Sequence, residues 1–148
     1  YERLEKVELY PSAKEVLLQL KNDGFKLGLV STSTAKMLST ALKNHDIEQL
    51  FDVVVSADDT KKHKPDPTPI YIALEKIGSS KESTVFVGDS DKDTGAAHNA
   101  GVPLLLFAPK QHDLFYDLES LRSEPAVTAS FDSWDDFPMS SLGLINAE

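Results

Sequence analysis

Short apolar runs alternate along the chain with segments whose apolar residues recur at helical spacing. Runs that are apolar throughout are typical of strands buried on both faces of a parallel sheet. The runs are LGLV (27–30), FDVVVSA (51–57), TVFV (84–87) and PLLLF (103–107). We predict a parallel strand at each of these four positions.

The segments around these runs have the apolar spacing and the end signals of helices. A helix over 11–20 has Val16, Leu17 and Leu20 on one face and ends near Gly24, a residue that tolerates the left-handed conformation. Three further helices are predicted, around 35–42, around 70–77, and from about 90 to Gly101. This alternation predicts an α/β fold: a doubly wound parallel sheet with helices on both faces.

The pattern weakens after residue 108. We predict a helix over 114–121, a short edge strand over 126–129 and a loosely patterned tail over 133–144.

Composition narrows the class of protein. The 148 residues fit one domain, with 41% hydrophobic and 26% charged residues. A formal net charge of −9 disfavours nucleic acid and anionic membranes as the main partner, because both repel an acidic surface. The chain has no cysteine, and no apolar run approaches the roughly 20 residues of a membrane span. We expect a cytoplasmic protein.

Polar residues follow three of the predicted strands at the edge where a doubly wound sheet binds ligands. Hydroxyl groups bind phosphate oxygens, a lysine neutralises their charge, and carboxylates hold Mg²⁺. The sequence therefore points to a phosphoryl group held with Mg²⁺. The residues are Ser31 and Thr32 after the first strand, Lys64 beyond the second, and Asp89, Ser90, Asp91 and Asp93 after the third.

Each of these residues also has a purely structural interpretation. Hydroxyls such as Ser31 and Thr32 commonly cap the following helix, and Lys64 lies in a basic loop, KKHK. Acidic residues at a helix start are favoured by the helix dipole alone. Asp89 and Asp93, however, are four residues apart and repel one another unless a cation or a lysine lies between them. The combination favours phosphoryl chemistry.

Three stretches resemble motifs of the haloacid dehalogenase-like (HAD) hydrolases, in the branch of phosphoglycolate phosphatase and β-phosphoglucomutase. LGLVS with Ser31 is similar to the second motif, KPDPTPIYIALEKIG with Lys64 to the third, and VFVGDSDKDTGAAHNAGV to the fourth. The resemblance covers roughly residues 9–107 and implies a Rossmann-type core.

The resemblance implies Mg²⁺-dependent phosphoryl transfer through an aspartyl-phosphate. Ser31 would hydrogen-bond the phosphoryl oxygen, and Lys64 would bridge that oxygen and the nucleophilic carboxylate. Asp89 would bind Mg²⁺, and Asp93 would support the metal's water shell or orient Lys64. Thr32 stands where relatives often have asparagine and would be a further phosphate contact. Asp91 occupies a variable position.

One family motif has no counterpart. The first motif, DxDG(T/S), supplies the nucleophile and the general acid in the family. The most similar acidic stretch, Asp58-Asp59-Thr60, follows a later strand and lacks the glycine. We therefore expect the C-terminal part of a larger phosphatase, in which 1–9 leads out of a cap, 10–107 carries the core motifs and 108–148 is weakly patterned. A phosphate-binding module without catalysis, or one chain of a two-chain enzyme, is the alternative.

The resemblance also predicts how the strands are ordered. In the family the order is 5-4-1-2-3, and the nucleophile strand lies between the strands at 27–30 and 84–87. We expect either an empty slot between those two strands or a direct pairing of one with the other. The expected substrate is a small phosphorylated metabolite, which the sequence does not specify because the family's cap makes much of the pocket.

Overall fold

Ten helices and strands alternate in the computed structural model, which describes residues 10–139 and Leu142. The helices are α1 (Ala13–Asn22), α2 (Ala35–Asn44), α3 (Thr68–Ile77), α4 (Asp91–Ala100) and α5 (Leu118–Arg122). The strands are β1 (Gly28–Val30), β2 (Val53–Val55), β3 (Phe86–Gly88), β4 (Leu104–Phe107) and β5 (Val127–Phe131). Each strand predicted from the sequence is confirmed, with ends shifted by one or two residues at most.

Local residue choice explains where two of the helices begin and end. The Thr34 hydroxyl accepts a hydrogen bond from the Met37 N–H at 3.3 Å, so Thr34 caps α2. After α1 the chain turns at Gly24, whose φ of +91° is readily accessible to glycine. The capping function foreseen for hydroxyls after β1 is thus confirmed for Thr34.

The five strands form two separate parallel sheets. β1 pairs with β2 in one sheet, and the other has the order β3-β4-β5. Among the described residues, β1 does not pair with β3, and no strand lies between them. The short strand predicted at 126–129 is β5, which lies at the outer edge of the second sheet.

The core lies on both faces of the β3-β4-β5 sheet. Leu104, Leu105 and Leu106 in β4 have no exposed surface. One face packs on Ala97 of α4 and Leu118 of α5, while the other packs on α1 and on the aromatic residues that follow β5. Helices cover both faces, so the predicted doubly wound architecture is confirmed.

A cavity of about 690 Å³ lies between the two sheets. It is bordered by β1 on one side and by β3 on the other, and we call it the slot. The apolar residues of β1 and β3 are half-buried, in contrast to the fully buried β4. Of the two expected arrangements, the empty slot is the one observed.

The segment after β4 departs from the prediction of one helix over 114–121. A 3₁₀ helix, Lys110–Leu114, is followed by α5, whose N-cap Asp117 accepts a hydrogen bond from Ser120 N–H at 3.2 Å. Leu114 and Phe115 are 83% and 77% exposed. The predicted helix is therefore present only from Leu118 on, because the chain forms a 3₁₀ helix up to Leu114 and Asp117 caps a separate helix.

Parts of both termini lie outside the described residues. Residues 1–9, assigned to the exit of a cap, lie outside the described residues, as do 140–141 and 143–148. The tail after β5 contains a 3₁₀ helix, Trp134–Asp136, and a buried Leu142. Among the described helices, none has the length and apolar character needed to cross a membrane.

Candidate functional site

The turn from β3 into α4 gathers the acidic residues of the candidate site. The Ser90 hydroxyl caps α4 by accepting a hydrogen bond from Asp93 N–H at 3.3 Å. Asp93 in turn accepts hydrogen bonds at Oδ2 from the Asp89 N–H at 2.9 Å and the Ser90 hydroxyl at 3.2 Å. The motif therefore folds back on itself and fixes the backbone of Asp89 at the end of the strand.

Lys64 reaches this turn from the loop before α3. Its Nζ lies 2.6 Å from Asp93 Oδ1, and the two side chains are 15% and 6% exposed. Lys64 is thus bound to Asp93, one of the two carboxylates that a cation or a lysine was expected to separate. A buried ion pair that is also hydrogen-bonded holds its groups in a defined geometry.

Close packing brings the Lys64 loop against α4. The Lys64–Pro65 peptide bond is cis. A Cβ on Gly95 would lie 2.9 Å from Pro65 Cβ, and Asn99 Nδ2 donates a hydrogen bond to Pro65 O at 3.1 Å. A Cβ on Gly88 would lie 2.7 Å from Asp93 Cγ. Both glycines thus permit approaches that any larger residue would obstruct.

The two carboxyls of the turn have opposite pKa shifts. Burial opposes ionisation of Asp93, but the charge and hydrogen bond of Lys64, together with the Asp89 N–H, outweigh it and lower the pKa of Asp93. Burial raises the pKa of Asp89, and the neighbouring Asp93 carboxylate raises it further. His112 and Lys64 only partly offset this rise in the pKa of Asp89. Ionised Asp89 therefore lacks sufficient positive charge nearby.

A divalent cation would supply that charge, and Asp89 offers the hard oxygen ligands that Mg²⁺ prefers. Both oxygens of Asp93 already accept hydrogen bonds from Lys64 and from the turn. Among residues 10–139 and Leu142, no group of three acidic or histidine side chains is placed to hold a metal. Mg²⁺ commonly takes one or two protein carboxylates and completes its shell with water and substrate oxygens, so Asp89 alone could serve as its protein ligand.

The hydroxyl residues after β1 are placed differently from the acidic turn. Ser31 N–H pairs with Val55 O at 2.9 Å, and the Ser31 hydroxyl accepts a hydrogen bond from Ser33 N–H at 3.1 Å. The Ser31 hydroxyl hydrogen is therefore available for another acceptor. Thr32 is exposed. The structure brings Lys64, Asp89 and Asp93 together at the slot, whereas Ser31 and Thr32 lie at the end of the strand on its other side.

The remaining acidic candidates have structural functions. Asp58 Oδ2 accepts a hydrogen bond from Ala35 N–H at 2.9 Å, and Asp59 Oδ2 accepts one from Ser56 N–H at 2.7 Å. These contacts explain the acidic pair after β2 without catalysis. Asp91, at the position that is variable in the family, is exposed on the first turn of α4.

His112 is a candidate that the sequence analysis missed. It lies in the 3₁₀ helix after β4, its Nε2 is 2.9 Å from the Tyr10 hydroxyl, and its charge lowers the pKa of Asp89. Its Nδ1 is buried with no hydrogen-bond partner among the described residues. The position of His112 after β4 could have identified it as a candidate, since residues that follow a parallel strand reach the edge of the sheet where ligands bind.

A profile of the haloacid dehalogenase-like hydrolase family matches residues 1–107, more than half of the chain. The chain belongs to the haloacid dehalogenase-like hydrolases. The three HAD motifs identified in the sequence lie within the matched residues. In the structure the third and fourth motifs meet through the contact between Lys64 and Asp93.

Individual relatives of this HAD chain are phosphatases by name. It is 39% identical over 97 residues to pyrophosphatase PpaX of Bacillus mycoides, covering 66% of this chain and 45% of that protein. It is 35% identical over 96 residues to phosphoglycolate phosphatase of Photorhabdus laumondii, covering 65% and 41%. The chain therefore spans less than half the length of these relatives.

Solved structures show the same fold. A HAD phosphatase from Thermococcus onnurineus superposes with a TM-score of 0.77 at 25% identity, covering 95% of this chain and 61% of that one. A HAD hydrolase from Entamoeba histolytica superposes with a TM-score of 0.81 at 18% identity, covering 98% and 65%.

Proposed function

We propose that this chain is the motif-bearing part of a HAD phosphatase that hydrolyses a small phosphomonoester. The observation that carries the proposal is the buried pair of Lys64 and Asp93, 2.6 Å apart and next to Asp89. A buried ammonium held beside a carboxylate with a raised pKa is suited to binding an anion together with a cation. Family membership and the named phosphatase relatives support the same reaction class.

The chain's own residues would bind and orient the phosphoryl group. Lys64 donates a hydrogen bond from Nζ to Asp93 Oδ1. An ammonium has three hydrogens, so the others can donate to a phosphoryl oxygen. Ser31 accepts from Ser33, so its hydroxyl can donate to the same group. Thr32 is exposed beside it and would be a further phosphate contact.

The reaction in this proposal proceeds through an aspartyl-phosphate. A carboxylate oxygen forms a bond to phosphorus while the bond to the ester oxygen breaks, and water then releases inorganic phosphate. The hydrogen-bonded positions of Asp58 and Asp59 do not favour either as this nucleophile. The proposal therefore takes the nucleophile from a first-motif segment outside the described residues, supplied by the full-length chain.

Mg²⁺ is the cofactor that the proposal requires. Asp89 would hold it, and Asp93 would support its water shell while keeping Lys64 in place. The bound ion would neutralise charge on the phosphoryl oxygens. The partner is a small phosphorylated metabolite rather than nucleic acid or a membrane, and a cytoplasmic location remains a prediction from the cysteine-free sequence.

The test uses a version of the protein that also carries the family's first motif, with release of phosphate from p-nitrophenyl phosphate as the readout. We expect Lys64→Ala and Asp89→Ala each to remove most activity, since these residues stabilise charge on the phosphoryl group. Asp91→Ala is the matched control, because Asp91 is exposed on the same turn as Asp89. It should change the rate little.

Wild-type rates in either Lys64→Ala or Asp89→Ala would contradict the proposed function. Binding of Mg²⁺ and phosphate without turnover in the same protein would favour the module without catalysis. A panel of phosphomonoesters and inorganic pyrophosphate, compared by kcat/KM, would then identify the substrate class.

A further inference from the structure

The loop between β2 and α3 concentrates positive charge in a chain that is acidic as a whole. Its run KKHK (61–64) has three lysines in four positions, although the formal net charge of the chain is −9. The Lys64 side chain is only 15% exposed in its pair with Asp93. Lys61, Lys62 and His63 are exposed. The proposed function uses Lys64 and leaves the exposed part of this run without a role.

The exposed lysines lie next to the candidate site, because the run ends at Lys64, whose ammonium binds Asp93. Three residues of chain span at most about 10 Å, so the backbone of Lys61 lies within about that distance of Lys64. A lysine also has a flexible four-carbon stem. The ammonium groups of Lys61 and Lys62 can therefore reach a molecule whose phosphoryl group is bound at Lys64.

The carboxylates nearest in sequence form hydrogen bonds of their own. Asp58, Asp59 and Asp66 each accept a hydrogen bond from a backbone N–H group, at 2.7–2.9 Å. The hydroxyl and backbone hydrogen bonds that Asp66 accepts lower its pKa, and the charge of Lys62 lowers it further. Within the part of the chain that the structure describes, neither Lys61 nor Lys62 forms an ion pair. Both ammonium groups are thus open to an anion from outside.

Electrostatics favours an anion at this loop. Adjacent like charges such as Lys61 and Lys62 repel one another, and an anion between them relieves the repulsion. The acidic surface repels anionic substrates in general, so a local group of cations decides where an anion can approach. The phosphoryl group already has Lys64, Ser31 and an ion at Asp89 as partners. The exposed lysines therefore suit a different anionic group of the same molecule.

We propose that Lys61 and Lys62 bind a second anionic group of the substrate, carried by the part of the molecule that leaves on hydrolysis. The substrate class is then a small phosphomonoester whose leaving group is itself negatively charged. Lys64 binds the phosphoryl group, and the two lysines that precede it hold the other end of the molecule. This inference rests on the proposed function and deepens it, because it assigns substrate preference to a loop of this chain.

The test compares two substrates of nearly the same shape that differ in one charge. They are meta-carboxyphenyl phosphate and its amide, meta-carbamoylphenyl phosphate. The protein is the version that carries the family's first motif, and the readout is kcat/KM for phosphate release at low ionic strength. We expect a preference of about tenfold for the carboxylate ester, mainly through a lower KM, since exposed ion pairs contribute modestly. The preference should shrink in about 0.5 M NaCl, which screens exposed charges.

Two double variants locate the effect. Lys61→Gln/Lys62→Gln removes both proposed ligands and should abolish the preference for the carboxylate ester. Lys43→Gln/Lys81→Gln is the matched control, because it removes the same charge from two exposed positions. Lys43 lies in the last turn of α2 and Lys81 shortly before β3, at the edge of the sheets away from the candidate site. This control should keep the wild-type preference.

Four results would overturn the inference. They are equal kcat/KM for the two esters in the wild type, a preference that salt does not reduce, a preference that survives in Lys61→Gln/Lys62→Gln, and equal losses in the two double variants. The first two need no variant, so the test does not depend on the folding of any variant. Equal hydrolysis of both esters would leave the proposed function standing, whereas hydrolysis of neither by the wild type would overturn both.

Discussion

At the scale of single residues, Asp89 and Asp93 have the same side chain, but their surroundings shift its pKa in opposite directions. Lys64 ion-pairs with Asp93, whereas burial and the Asp93 charge raise the pKa of Asp89. The neutral form of Asp89 is therefore favoured by folding, and its ionisation destabilises the protein as pH rises through its raised pKa. The destabilisation is relieved if Mg²⁺ binds Asp89.

Asp89→Asn should raise the midpoint of thermal unfolding at neutral pH without divalent ions, because it removes the poorly compensated charge. The same variant should lose the increase that MgCl₂ produces in the wild-type chain. Differential scanning fluorimetry measures both effects. Asp91→Asn, on the exposed surface of the same turn, is the control and should keep the Mg²⁺ response. A Mg²⁺ response that survives in Asp89→Asn would place the metal elsewhere.

The ion pair of Asp93 predicts how stability depends on pH. Folding lowers the pKa of Asp93 below its usual 3.8, so its contribution is present above that pH and is lost as pH falls through the folded-state pKa. Asp89→Asn removes the like-charged neighbour of Asp93. In this background, the difference in unfolding free energy between Asp93 and Asp93→Asn should shrink below pH 3.8. Urea titrations at several pH values would measure it, and a constant difference down to pH 2 would contradict the assignment.

At the scale of elements, α4 connects the third and fourth motifs. Its first turn contains Asp93, and its later turns contact the Lys64 loop through Gly95 and Asn99. Replacing glycine by alanine within a helix ordinarily stabilises it by about 1 kcal/mol. At Gly95 the added Cβ would lie 2.9 Å from Pro65 Cβ, so the loop must move.

Gly95→Ala should therefore destabilise the protein despite the gain in helix propensity. Displacement of the loop should also weaken the Lys64–Asp93 contact and lower Mg²⁺-dependent stabilisation. Chemical denaturation compares the variant with Lys92→Ala, an exposed position on α4 that should change the unfolding free energy by less than about 0.5 kcal/mol. A gain of about 1 kcal/mol in Gly95→Ala would show that the contact is absent in solution.

At the scale of the whole molecule, the slot divides the sheet into two parts. The edges of β1 and β3 that face the slot have no strand partner among the described residues, and each backbone group left buried without a partner costs about 1–3 kcal/mol. The net stability of a domain is only about 5–15 kcal/mol. The half-exposed surface of β1 and β3 reduces this cost where water reaches the backbone. We still expect the chain alone to be poorly stable or to aggregate.

The purified 148-residue chain should have no Mg²⁺-dependent phosphatase activity by itself. Lys64 and Asp89 can stabilise charge, but a covalent path needs a carboxylate positioned at the phosphoryl group. Hydrolysis of p-nitrophenyl phosphate is the measurement. Turnover that disappears in Asp89→Asn would refute this prediction, because it would show that the nucleophile is among these residues.

The apolar runs and helical spacings were sufficient to predict β1 to β4 and the helices between them. These signals are local, since each run's burial and each turn residue's conformation depend on neighbours in the chain. The local pattern placed Leu114 and Phe115 in the same helix as α5, but they precede it and their apolar side chains are exposed. Pattern alone cannot distinguish an apolar residue that has a core to pack on from one that has none.

The sequence by itself determined the doubly wound α/β class, the family and the positions of Ser31, Lys64 and Asp89 after their strands. The tertiary structure decided between alternatives that the resemblance left open, since it shows Lys64 bound to Asp93 and a slot between β1 and β3. It alone revealed that His112 influences Asp89. Lys64 and Asp93 are 29 residues apart, and Tyr10 and His112 are 102 apart. Contacts at such separations depend on how whole elements pack, which local patterns of burial and turn chemistry do not encode.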